Sequence, residues 1–161
     1  MNCYERLVCD AESQGLQVIE KEFKSAAKGL CKGNKIGISS KLNSAVEKRC
    51  VLAEEMAHAF FTAGNILDQS DLQNRKQEVF ARRQAFEALL PLSLLVDAYK
   101  YGCRLQHEIA DYLEVTEEFL LDSLYHYQTK YGLYAKYNKY IIYFSPLIVC
   151  EKHHNSMRSA V

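Results

Sequence analysis

Glu54, Glu55 and His58 stand close together in the stretch SAVEKRCVLAEEMAHAFF, residues 44 to 61. On a helix, positions four apart share a face, so Glu54 and His58 converge and Glu55 lies about 100 degrees round beside them. Carboxylate and imidazole side by side are donors for a divalent cation and partners for proton transfer. The pattern H-E-x-x-H sets two histidines on a metal and uses the intervening Glu to polarise bound water. This chain reads E-E-x-x-H: Glu54 takes the first histidine's place, while Glu55 and His58 match. Taken alone the pattern is weak, since Glu-rich helices are common and a lone helical His more often packs than ligates.

The elements that must position these residues are legible around them. Ser44 followed by Glu47 makes an S-x-x-E capping box, and the stretch has no Gly or Pro. Apolar Val46, Cys50, Ala53, Ala57 and Phe60 or Phe61 recur at helical spacing, and Gly64 offers a stop. Upstream, residues 2 to 14 read as a helix with Tyr4, Leu7, Val8 and Ala11 on one side, ending at Gly15. Leu16 to Ile19 is a short strand, and Gly29 to Ser39 a hairpin turning at Gly33-Asn34. A strand or hairpin beside the key helix can hold extended substrate at its edge.

Downstream, a second long helix runs from about Leu72 to Leu90 and is stopped by Pro91. Glu78, Ala81, Ala85, Ala88 and Leu89 fall on or near one side, so small residues allow close approach and bring one carboxylate with them. Glu78 is the candidate third metal ligand; the alternative is a solvated Glu among Arg75, Lys76, Arg82 and Arg83. Cys50 is in row with Glu54 and His58, but the eight residues from Cys50 to His58 span about 12 Å, so Cys50 is read as core.

Three pieces together resemble the ImmA/IrrE family of intracellular metallo-endopeptidases: RCVLAEEMAHAFF, then EVFARRQAFEALLP from Glu78 to Pro91, then HEIADYLEVTEEFLLDSL from His107 to Leu124. With the hairpin they span roughly residues 1 to 127. The resemblance implies an α+β, zincin-like fold: a metal helix with a small sheet or hairpin, then a helical, helix-turn-helix-like C-terminal part. It implies His58, Glu78 and, in place of the first histidine, Glu54 as ligands of zinc or manganese, with Glu55 as general base. Two anionic ligands neutralise a divalent ion within its own ligand set and weaken its pull on water and carbonyls. The implied activity is cleavage of a helix-turn-helix transcriptional repressor of a mobile element or stress response. The alternative is an inactive member that captures such a partner stoichiometrically.

Beyond Pro91, Ser93 to Tyr101 reads as a short helix ending at Gly102, and Thr116 caps the second of two helices, HEIADYLEV and TEEFLLDSLYHY. Base reading needs Arg, Lys, Asn or Gln on the recognition helix; this one is acidic, so direct DNA binding is disfavoured. His107 and His126 read as surface or capping residues. Tyrosines are dense from Tyr125 to Tyr143, and Tyr140 to Val149 reads as a strand added to the small sheet, with Pro146 at an edge or bulge. Residues from Cys150 to Val161, including His153 and His154, read as a frayed tail.

The 161 residues, 48% hydrophobic and 25% charged, suit a compact core, divided here as 1–91 peptidase core, 92–130 helical segment and 131–161 aromatic strand and tail. A net charge of zero gives no global attraction to nucleic acid or anionic membranes. No apolar run spans a bilayer, and six cysteines without a CxxC pair read as reduced thiols, so a cytoplasmic protein is expected.

Overall fold

The computed structural model describes residues 1–62 and 72–153. The chain folds as an α+β protein whose elements follow in the order α1 (Cys3–Ser13), β1 (Gln17–Lys21), β2 (Gly29–Lys32), β3 (Lys35–Ser39), α2 (Ala45–Phe61), α3 (Leu72–Leu89), α4 (Leu92–Tyr101), α5 (Gln106–Leu113), α6 (Glu117–Tyr131), β4 (Tyr134–Tyr137), β5 (Tyr140–Phe144) and β6 (Leu147–Glu151). Among the described residues no helix is long and apolar enough to cross a membrane.

The first sheet has the order β1-β3-β2. The expected hairpin forms: β2 and β3 pair antiparallel, closing at Lys32 opposite Lys35, with Gly33 at φ +62 where a side chain would be strained. β1 joins β3 in parallel on its other side, so β3 is central and β1 and β2 are the two edges. Ile36 and Ile38 point from β3 into a cluster with Tyr4, Ala11 and Leu16, and Leu52 of α2 closes it. Leu52 is fully buried, and removing such a side chain from water contributes about 2 kcal/mol.

α2 has a second buried face. Cys50, Ala53 and Ala57 enter a larger cluster with Ala81 and Ala85 of α3, which continues through α4, α5 and α6 to Ile142 and Phe144 of β5. The small side chains on both helices let them approach closely. With one face on the sheet and another on α3, the strip between them carries Glu54, Glu55 and His58. Phe60 and Phe61, expected in the apolar row, are 46% and 49% exposed, because the helix axis has by then run past the sheet. Ala88, expected on the buried side of α3, is exposed as well.

Ser44 caps α2 by accepting from the amides of Val46 at 3.2 Å and Glu47 at 3.4 Å. The other half of the expected capping box is diverted, since the Glu47 carboxylate takes Lys28 Nζ at 3.0 Å. Thr62 is the C-cap; the stop assigned to Gly64 lies outside the described residues.

The C-terminal region departs most from expectation. Tyr140 to Val149 is two strands, and they belong to a separate antiparallel sheet of order β4-β5-β6. Two tight turns cause this. Asn138, at φ +52, lets Tyr137 meet Tyr140, and Ser145-Pro146 lets Phe144 meet Leu147, so the run folds back on itself instead of crossing to the first sheet. Cys150 is in β6 and not in a frayed tail, while His154 lies outside the described residues. His126 is buried, not a surface residue, and its Nε2 meets Glu87 Oε1 at 2.8 Å. All six cysteines are free.

Candidate active site

Glu54, Glu55 and His58 are each half-buried on α2, and the helix carrying them is held at several points. Arg49, one turn before Ala53, donates from Nη1 to the carbonyls of Leu113 and Glu114, each at 2.7 Å, and so anchors α2 to the end of α5. α3 brings Glu78, also half-buried, and among the described residues Glu78 forms no ion pair with its basic neighbours. Its half-buried position without an ion pair is compatible with either expectation for Glu78, a solvated carboxylate or a ligand.

Glu54 and Glu55 border a cleft of about 390 Å³ whose lining also includes Lys28, Gly29, Val51, Arg82 and Asp122, while His58 and Glu78 are not part of that lining. A Cβ placed on Gly29 would come within 2.7 Å of both Glu55 Oε1 and Val51 Cγ1. Only glycine lets the backbone of edge strand β2 lie this close to the Glu55 carboxylate. The signal existed in the sequence, since a glycine inside a strand marks close backbone approach, but the hairpin reading used only Gly33.

The electrostatics follow from burial without enough counter-charge. Burial pushes the Glu55 carboxyl up to about 7, and the negative charges of Glu54 and Glu78 push it the same way. Burial likewise lifts Glu54, opposed by the Arg82 guanidinium. His58 is driven down by burial, with Glu78 opposing, and its Nδ1 is buried without a hydrogen-bond partner. Glu54 and Glu78 both act on Glu55, and Glu78 acts on His58, so the four expected residues are electrostatically linked.

Glu54 is also engaged by a cation. Arg82 Nε lies 3.4 Å from Glu54 Oε1, while its Nη2 lies 2.8 Å from Asp122 Oδ2 on α6, and the guanidinium sits 5.7 Å from the centre of the Phe86 ring. Sequence reasoning placed Arg82 among solvated charges, and no signal within its own segment points to Glu54 or Asp122, 28 and 40 positions away.

An imidazole with carboxylates suits a borderline divalent ion such as zinc, and the unpartnered Nδ1 of His58 is a buried donor atom in want of a partner. The third donor is not gathered in: among the described residues, no three His, Cys, Asp or Glu side chains are grouped so as to hold a metal. Cys50 stays out, buried and with its thiol pushed up by that burial, away from the thiolate a metal binds.

A peptidase family model described as the IrrE N-terminal-like domain matches residues 11–125, more than half of the chain's 161 residues. No curated protein and no solved structure matches it.

Proposed function

The chain belongs to the IrrE N-terminal-like peptidase family, and from that premise we propose that it is a metal-dependent endopeptidase, or a peptidase-like regulator, acting on a helix-turn-helix repressor of a mobile element or stress response. A peptidase family implies a protein substrate and suggests a metal cofactor. The observation that carries the reading is the placement of edge strand β2 against Glu55 through Gly29. An extended polypeptide adding to that edge passes the carboxylate at close range, as scission of a backbone amide requires.

In this reading His58 and Glu78, with Glu54 once freed from Arg82, hold zinc or manganese. The metal, when bound, supplies Lewis acidity and lowers the pKa of water. The Glu55 carboxylate takes the proton of the attacking water on Oε1 or Oε2 and returns it to the departing amine. The free edge of β2 keeps the substrate backbone extended. The cytoplasm is the proposed compartment, with direct DNA binding disfavoured by the acidic α6, whose Glu117 and Glu118 are exposed.

A second reading, a binding module that captures its partner without cleaving it, is favoured by the Arg82–Glu54 pair at the first-ligand position. Elemental analysis of untagged protein purified without chelators tests the first. About one zinc or manganese per chain, lost in His58→Ala and in Glu78→Ala, supports the peptidase. A wild-type chain that takes up neither metal leaves the binding module.

A further inference from the structure

We infer that Arg82 is an internal counter-cation that competes with a divalent metal ion for Glu54. The inference rests on the metal site proposed above and adds what controls it. Arg82 comes off α3 one turn after Glu78, reaches Glu54 on α2 through Nε at 3.4 Å and Asp122 on α6 through Nη2 at 2.8 Å, and so joins three helices across the cleft. The planar fork of a guanidinium can serve two carboxylates at once, and the Phe86 ring 5.7 Å below it supports the orientation. The remaining cleft charge is mostly acidic: Glu47 is taken by Lys28, and Glu55 and Glu118 have no ion-pair partner among the described residues.

A metal ion draws on the same Glu54 carboxylate that Arg82 engages at Oε1, and turning that carboxylate toward the ion costs the Arg82 contact. To bind with three protein ligands it must wait for Glu54 to leave the guanidinium, and it then sits beside a fixed positive charge. Apparent affinity falls by the fraction of chains in which Glu54 is free, and falls further through repulsion between the two cations. Arg82 therefore lowers the metal affinity of the site while its guanidinium bridges α2, α3 and α6.

Zinc titration of the full-length chain by equilibrium dialysis tests this, on wild type, Arg82→Ala, Arg82→Lys, Glu54→Gln and the Glu54→Gln/Arg82→Ala pair, with circular dichroism confirming each fold. Arg82→Ala is expected to bind zinc about ten-fold more tightly than wild type. Arg82→Lys, which keeps the charge and loses the fork, should fall between them. In the Glu54→Gln background the same Arg82→Ala change should gain about two-fold or less, because the contested ligand is gone. Equal zinc affinity in wild type and folded Arg82→Ala overturns the competition while leaving the proposed peptidase standing. The same gain in the Glu54→Gln background overturns it too, since the effect would then be general charge. No zinc uptake by any variant overturns both.

Discussion

Glu55 on α2 and Glu87 on α3 are both half-buried carboxylates, yet their surroundings drive them in opposite directions. Burial works against the charge on each. At Glu87 it is overcome by hydrogen bonds from Lys130 Nζ at 2.7 Å and His126 Nε2 at 2.8 Å, which hold the carboxyl below the ordinary range. At Glu55 the nearest charges are Glu54 and Glu78, and the carboxyl rises to about 7. The Glu87 carboxylate is paired and ties α3 to α6, whereas the Glu55 carboxylate is kept short of counter-charge, which costs stability and holds its proton to higher pH. That asymmetry supports the general-base role proposed for Glu55.

The contrast is broken most severely at Gly29. Gly29→Ala forces a Cβ to 2.7 Å from Glu55 Oε1 and Val51 Cγ1, so stability measured by urea denaturation should fall by about 3 kcal/mol. Placing it in a Glu55→Ala background should recover part of the loss, with the Val51 collision remaining. Next comes the satisfied group: Glu87→Ala strips the acceptor from buried His126 and from Lys130 and should cost about 2 kcal/mol. Thermal melts that place Glu55→Ala below Glu87→Ala would reverse the comparison.

The pH dependence sharpens it. Glu87, depressed in the folded state, contributes stability above the ordinary carboxylate pKa, and that contribution is lost as pH falls through its lowered value. Glu55, raised to about 7, binds a proton in the folded state that the unfolded chain has released. The metal-free protein should therefore lose stability as pH rises from about 4.5 toward about 7. His58 slopes the other way, because burial holds it neutral and favours folding as pH rises through the ordinary imidazole range. Glu55→Gln isolates the Glu55 part: stabilising by about 1 kcal/mol at pH 8 and close to neutral at pH 4, in denaturation curves of chelator-treated protein.

Much of this molecule could be read from the sequence wherever one local signal decided the outcome. Ser44 and Thr116 as caps, the Gly33 turn, the Gly102 stop and the α2 and α3 boundaries each follow from residues within a turn of one another. That Glu54, Glu55 and His58 lie side by side was legible for the same reason, since they share a helix, whereas Glu78 as their companion came from the family resemblance and not from spacing. What escaped was long-range or two-edged. Tyr140 to Val149 has strand chemistry throughout, and whether it makes one strand or two depends on how Ser145-Pro146 turns, not on propensity. Arg82, Arg49 and His126 are polar residues whose partners lie 28 or more positions away, at Glu54, at Leu113 and Glu114, and at Glu87. Periodicity carries no information about such partners.

Arg49 has a consequence for how this protein can change over generations. Its guanidinium closes the carbonyl end of α5 from a position on the helix that bears Glu54, Glu55 and His58. The helical pair α5–α6 is thus not a cartridge that recombination could exchange for another while keeping the site intact. A lineage that traded it would lose the Asp122 arm of Arg82 and would have to bring a new helix end to the same place for Arg49 to keep its two backbone acceptors.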